Sequence, residues 1–107
     1  MKSEKVVFVD EELEKSFNEI SEDDPLKKSL IKAIKEVQEN CFCGRNVKKE
    51  LIPKRLIQKY QINNLWIYNL QSAWRLLYSI TSTEEVKIIA AILDWMDHKD
   101  YERLFGF

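Results

Sequence analysis

The stretch from residue 65 to residue 81 constrains this chain most. Leu65-Trp66-Ile67-Tyr68-Asn69-Leu70 and Trp74-Arg75-Leu76-Leu77-Tyr78-Ser79-Ile80-Thr81 are both rich in aromatic and aliphatic side chains. Gln71-Ser72-Ala73 separates them, a connection of hairpin length. Side chains of these types suit a pleated, half-buried surface, so the two runs predict paired antiparallel strands. A third hydrophobic run, residues 86–93, follows the polar Ser82-Thr83-Glu84-Glu85. Three strands joined by short polar connections predict an antiparallel meander. In the central strand Trp74, Leu76, Tyr78 and Ile80 share one face, and Arg75, Leu77, Ser79 and Thr81 share the other. In the third, Lys87, Ile89, Ala91 and Leu93 lie together.

The segments before and after this meander read as one more strand and several helices. Val6-Val7-Phe8-Val9 predicts a short strand. Asp10 can cap a helix carrying Leu13, Phe17 and Ile20 at helical spacing and ending near residues 21–23. Asp24-Pro25 starts a second helix, a capping acid followed by Pro at the first helical position. Its stripe is Leu26, Leu30, Ile34 and Val37, with Ile31 beside it; Lys27, Lys28, Lys35 and Glu36 lie toward the other side. So few residues join the two helices that they should form an antiparallel hairpin with a shared apolar seam. The face with the larger hydrophobes of the central strand should lie under that hairpin, leaving Arg75 on the opposite, more open face. Residues 48–60 are mixed and broken by Pro53, with one short helical turn expected around 55–59. Asp97 can cap a terminal helix over 98–104. The expected architecture is therefore α+β: an antiparallel three- to four-stranded sheet packed against an N-terminal helical hairpin, with a short C-terminal helix. At 107 residues, with no repeat and no linker, a single domain is expected.

Composition narrows the class. The charged start and the short apolar run at 6–9 do not make a signal peptide, and no run approaches the length of a membrane span. A cytoplasmic protein with no membrane contact is expected. Cys41 and Cys43 are the two cysteines; two thiols cannot close a tetrahedral zinc site and His98 lies far off in sequence. Reduced thiols, with no metal and no cofactor, are expected. Net charge is −1, but its distribution is uneven. Residues 1–40 hold seven Lys and eleven acids; residues 41–81 hold seven Lys or Arg and one acid; residues 82–107 hold three basic residues and six acids. A basic middle between acidic flanks can meet a phosphate backbone locally without a basic protein overall, or can be a solvated polar face.

The run 65–80, from Leu65-Trp66-Ile67-Tyr68 to Trp74-Arg75-Leu76-Leu77-Tyr78, resembles the hairpin of the RelE/ParE superfamily of toxins from type II toxin-antitoxin pairs. There an aromatic-rich strand turns into one reading aromatic-Arg-aliphatic-aliphatic-Tyr, followed by a third hydrophobic strand and a terminal segment with His and Tyr. Residues 86–93 and then His98-Lys99-Asp100-Tyr101 are similar to that ending, and the preceding strand and two helices fit the same order. The sharp part of the likeness covers residues 65–104.

The resemblance implies a RelE-like mRNA interferase, an endoribonuclease that cuts mRNA in the ribosomal decoding site. The 2′-hydroxyl attacks the adjacent phosphate and the 5′-oxygen leaves, which calls for a base, an acid and a cation against the phosphorane-like transition state. By position in the motif, Arg75 would be that cation, its guanidinium suited to bidentate phosphate contact. His98 and Tyr101 fall where the family places acid–base or base-stacking residues. Lys54 and Arg55, then Lys48, Lys49 and Lys59, lie where it often places phosphate-binding lysines. A cognate antitoxin protein is the other implied partner.

Each assignment has a structural competitor. Arg75 could pair with Glu50 or Asp94. His98 could be a surface or capping residue. Tyr101 and Phe105, four apart, could pack the last helix onto the sheet. Trp66, Trp74 and Trp95 could be core. Two further classes remain open: a ParE-like gyrase inhibitor, and a non-catalytic interaction module of the same fold.

Overall fold

The computed structural model describes residues 5–82 and 88–106. Its elements are β1 (Lys5–Phe8), α1 (Glu11–Glu19), α2 (Pro25–Glu39), β2 (Arg45–Asn46), α3 (Lys54–Tyr60), β3 (Trp66–Asn69), β4 (Arg75–Ser82), β5 (Ile88–Met96) and α4 (His98–Phe105), with 3₁₀ turns at Lys49–Leu51 and Gln71–Ala73. The expected turn at 83–85 and the strand start at Val86 and Lys87 lie outside the described residues.

The caps read from the sequence are formed. Asp10 Oδ1 accepts from the Leu13 amide at 2.8 Å, and Asp24 Oδ1 accepts from the Leu26 amide at 2.9 Å. Leu13, Phe17 and Ile20 of the first helix and its end, and Leu26, Leu30, Ala33 and Ile34 of the second, join one apolar cluster with Leu76 and Ile92. Lys27 departs from the expected solvent side. It is buried, its Nζ donating to the Phe17 carbonyl at 2.6 Å and lying 3.9 Å from the Phe17 ring centroid, with Glu22 at 3.7 Å. A lysine is tolerated there because Phe17 of α1 supplies an acceptor and a ring face, and Glu22 of the α1–α2 connection supplies a carboxylate.

The fold is α+β, as expected, with two corrections to the sheet. Among the described residues it has five strands, in the order β1-β5-β4-β3-β2. It is also not wholly antiparallel: β1 runs parallel to β5, while β2–β3, β3–β4 and β4–β5 are antiparallel. β1 and β2 lie at opposite edges, so the two-helix connection crosses the whole sheet, and β1 finds its parallel partner in β5, far off in the chain rather than across a hairpin. β2 had no signal, because two residues cannot display alternation. It pairs Arg45 with Ile67 and Asn46 with Trp66.

β4 divides its side chains as the alternation demands: Leu76 and Tyr78 lie toward the helical hairpin, and Leu77 lies on the other side. That other face is not open. Leu65, Ile67, Leu77, Leu93 and Met96 form a second core there with Val47, Ile52 and Leu56 of the α3 segment and Tyr101 of α4. β5 also runs past residue 93, to Met96. Between the pairs Leu77–Asp94 and Tyr78–Ile92 it carries one extra residue, a bulge at Leu93. The bulge shifts the parity, so Leu93 and Met96 serve the second core while Ile92 and Trp95 serve the first.

Tyr78, fully buried, ties the two halves of the chain together. Its hydroxyl donates to the Cys41 carbonyl at 2.7 Å and accepts from the Gly44 amide at 3.0 Å. Burial holds its ionisation far above the ordinary phenol value, so it is a neutral hydrogen-bonding group. Gly44 is required by this approach: a Cβ there would stand 2.8 Å from Tyr78 Oη and 2.9 Å from the Ile67 carbonyl oxygen. Tyr78→Phe strands a buried amide and a carbonyl and should cost about 1–3 kcal/mol. Gly44→Ala should cost about as much by overpacking. Urea unfolding would check both, and a Gly44→Ala midpoint equal to that of wild type would show that the 41–44 turn is free to shift.

Candidate functional site

Arg75 opens β4, opposite Asn69 of β3 and Met96 of β5. It is half-buried on the side of the second core. Its Nη1 donates to the Trp74 carbonyl at 3.2 Å, and its guanidinium carbon lies 5.3 Å from the centroid of the Tyr101 ring. That is within the range in which a ring face attracts a cation. The ion pair weighed for Arg75 with Glu50 or Asp94 is not made, and no carboxylate among the described residues pairs with it.

Tyr101 is placed by the capping of α4. Asp97 Oδ1 accepts from the Asp100 amide at 2.9 Å, and Gly106, at φ 77°, ends the helix in the left-handed conformation that glycine adopts without strain. The ring packs at 4.8 Å from Phe105 and is 6% exposed, so Tyr101 does hold the last helix on the sheet. Its hydroxyl is also a site of contact. Arg45 Nη2 donates to Tyr101 Oη at 2.6 Å.

Arg45 was given no role by the sequence. Its signal there was no more than one basic residue in a basic stretch, directly after Gly44. The structure brings it from β2, fifty-six residues away in the chain, onto the same phenol that carries Arg75. A cleft of about 350 Å³ runs along this edge of the sheet, bordered by Gly44, Arg45, Ile67 and Asn69.

His98 lies in the first turn of α4, half-exposed, with Nε2 2.5 Å from Glu102 Oε1 one turn on. The imidazole is thus oriented by its own helix. The five basic residues read as phosphate contacts are all exposed. Lys48 and Lys49 border the 3₁₀ turn, and Lys54 and Arg55 start α3. Lys59, in the last turn of α3, lies 5.1 Å from the Tyr60 ring centroid, and Tyr60 holds its ammonium above the ordinary range, with Asp94 and Asp10 adding to this from further off.

Asp94 is where the bulge acts on the electrostatics. It falls opposite Leu77, on the side of α3, in a cleft with Asp10, Lys59 and Tyr60. Burial raises its carboxyl above the ordinary 3.8, against a hydrogen bond from the Trp95 amide and the charges of Lys59 and Arg55. Arg55 and Lys59 therefore answer a carboxylate, whereas Arg45 and Arg75 answer none among the described residues. No cluster of His, Cys, Asp or Glu that could hold a metal ion occurs among the described residues. No helix among them is long and apolar enough to cross a membrane.

Compared with family models, curated proteins and solved structures, the chain finds no match.

Folded Asp94 binds its proton more tightly than unfolded Asp94, so the stability this proton lends is present at low pH and lost as pH rises through the raised value. Asp94→Asn keeps the acceptor for the Trp95 amide and removes the charge. It should gain stability relative to wild type from about pH 4 to pH 7, with the two converging below the ordinary carboxylate range. Urea midpoints across that range would show it, and a difference constant with pH would assign the effect to packing.

Proposed function

We propose that this protein is a RelE-like toxin that cleaves mRNA on the ribosome, held in check by a cognate antitoxin in the cytoplasm. The observation that carries the reading is the Arg75 guanidinium, at the start of β4, laid against Tyr101 with no carboxylate among the described residues to pair with it. A half-buried cation left uncompensated is costly unless an anion arrives. The order of elements supports the same reading: a strand, two helices, an aromatic hairpin, a third strand and a terminal helix with His and Tyr.

In this reading Arg75 meets the non-bridging oxygens of the scissile phosphate and offsets the charge that builds as the 2′-oxygen attacks. The 2′-proton passes to a base, and the departing 5′-oxygen takes a proton from an acid. His98, exposed and steered by Glu102, is the group for proton transfer. Tyr101, 6% exposed and bonded through its hydroxyl to Arg45, acts as a positioning residue rather than as the acid. Lys48, Lys49 and Lys54 extend the positive surface for flanking phosphates, and Arg55 and Lys59, beside Asp94, contribute less. Leu51 is 60% exposed and Ile57 38% exposed, flanking Lys54 with an apolar surface that suits a protein partner such as the antitoxin.

Primer extension on a translated mRNA, after induction in a bacterial host, tests the reading. Wild type should produce new codon-phased cuts, and Arg75→Ala at matched expression should reduce them by about 10²-fold or more. Gyrase inhibition with no RNA cuts would move the protein to the ParE-like branch. Neither activity would leave an interaction module.

A further inference from the structure

We infer that Arg45 and Arg75 form a two-guanidinium clamp for a single phosphodiester, with Tyr101 the spacer that holds the clamp open before the anion binds. The starting point is a juxtaposition that the sequence does not display. One guanidinium lies against the face of the Tyr101 ring and the other against its hydroxyl. The two come from β4 and β2, neighbours on either side of β3. Two like charges gathered on one phenol, with no carboxylate pairing with either among the described residues, repel each other. An arrangement of this kind is stable through packing and is relieved by a bound anion.

The donor inventory fits that role. A guanidinium carries five N–H groups in a rigid fork. Among the described residues Arg45 uses one side-chain donor, on Tyr101, and Arg75 uses one, on the Trp74 carbonyl. The remaining forks suit the non-bridging oxygens of a phosphate, which accept bidentate contacts from arginine better than from lysine. Arg45 is exposed and Arg75 half-buried, so solvent reaches both. The cleft bordered by Gly44, Arg45, Ile67 and Asn69 gives the flanking nucleotide a place along the sheet edge.

Two supports hold the clamp. Tyr78 fixes the turn before β2 through its bonds to Cys41 and Gly44, and so fixes where Arg45 leaves the backbone. The core around Tyr101 fixes the other side. The general claim is an anion site that takes a phosphate. That its natural occupant is the scissile phosphodiester of RNA rests on the nuclease reading.

The test separates the two claims. Inorganic phosphate is titrated into isotope-labelled protein while the arginine side-chain Nε–Hε resonances are followed by NMR. Saturable shifts at both Arg45 and Arg75 are expected. Arg45→Gln should weaken phosphate binding about tenfold, as loss of a charged hydrogen-bond donor does. Arg45→Lys should recover part of it, and Tyr101→Phe, which frees Arg45 but keeps the ring, should weaken it by a smaller factor. Lys28→Gln, on the exposed side of α2, should leave it unchanged. The same variants are then assayed for cuts in translated mRNA. Phosphate binding at both arginines without any cutting by wild type would keep the clamp and remove the nuclease. Cutting by wild type with Arg45 unmoved by phosphate, or with Arg45→Gln equal to wild type in both measurements, would overturn the clamp and leave the nuclease standing.

Discussion

The hydroxyl of Tyr78 is the contact on which the rest of the arrangement hangs. It is a polar atom in a fully buried side chain, and it is satisfied on both sides by the turn that joins α2 to β2. A buried hydroxyl with one partner missing would be costly, so the turn is held as firmly as the core strand that carries the tyrosine. Everything downstream depends on that turn. It brings the short β2 alongside β3, places Arg45 at the sheet edge, and leaves no room for a side chain at residue 44.

The sheet is covered on both faces by cores of different kinds. The first, beneath α1 and α2, is built on aromatic contacts: Phe8, Phe17 and Trp95 lie within 6.4 Å of one another. The second, beneath α3 and α4, is mainly aliphatic, with Tyr101 at its margin. Trp95 and Trp74 join the first cluster, and Trp66 stacks on Tyr78 and meets Phe42 at a tilt, so the tryptophans are packing residues as weighed from the sequence. The second core converts an open sheet face into a supported one. Arg75 then projects from a rigid floor, which is the condition for holding a charge in one place.

Charge is sorted by the fold more finely than by the chain. The basic middle reads as one block, but the structure splits it. Arg55 and Lys59 lie near Asp94, and Arg45 and Arg75 lie on a phenol away from any pairing acid among the described residues. The same residue type thus has two roles according to what the sheet brings beside it. A count of charges along the sequence cannot separate them, because pairing depends on distance in space.

The sequence by itself determined the helical hairpin, its two caps, the β3–β4 hairpin and the terminal helix, because each shows its period or its cap within a few neighbouring residues. It also placed Arg75 on the face away from the hairpin, since alternation is local. Tertiary structure decided the rest. β2 is two residues long and exists through its pairing with β3. The parallel placement of β1 beside β5 joins segments more than eighty residues apart. The bulge at Leu93 is a property of the β4–β5 register, and it turns Asp94 toward α3 and Trp95 toward the first core. The meeting of Arg45 with Tyr101 and Arg75 combines all three, and no local pattern records it, because a contact between distant strands is set by register and packing rather than by the residues beside it.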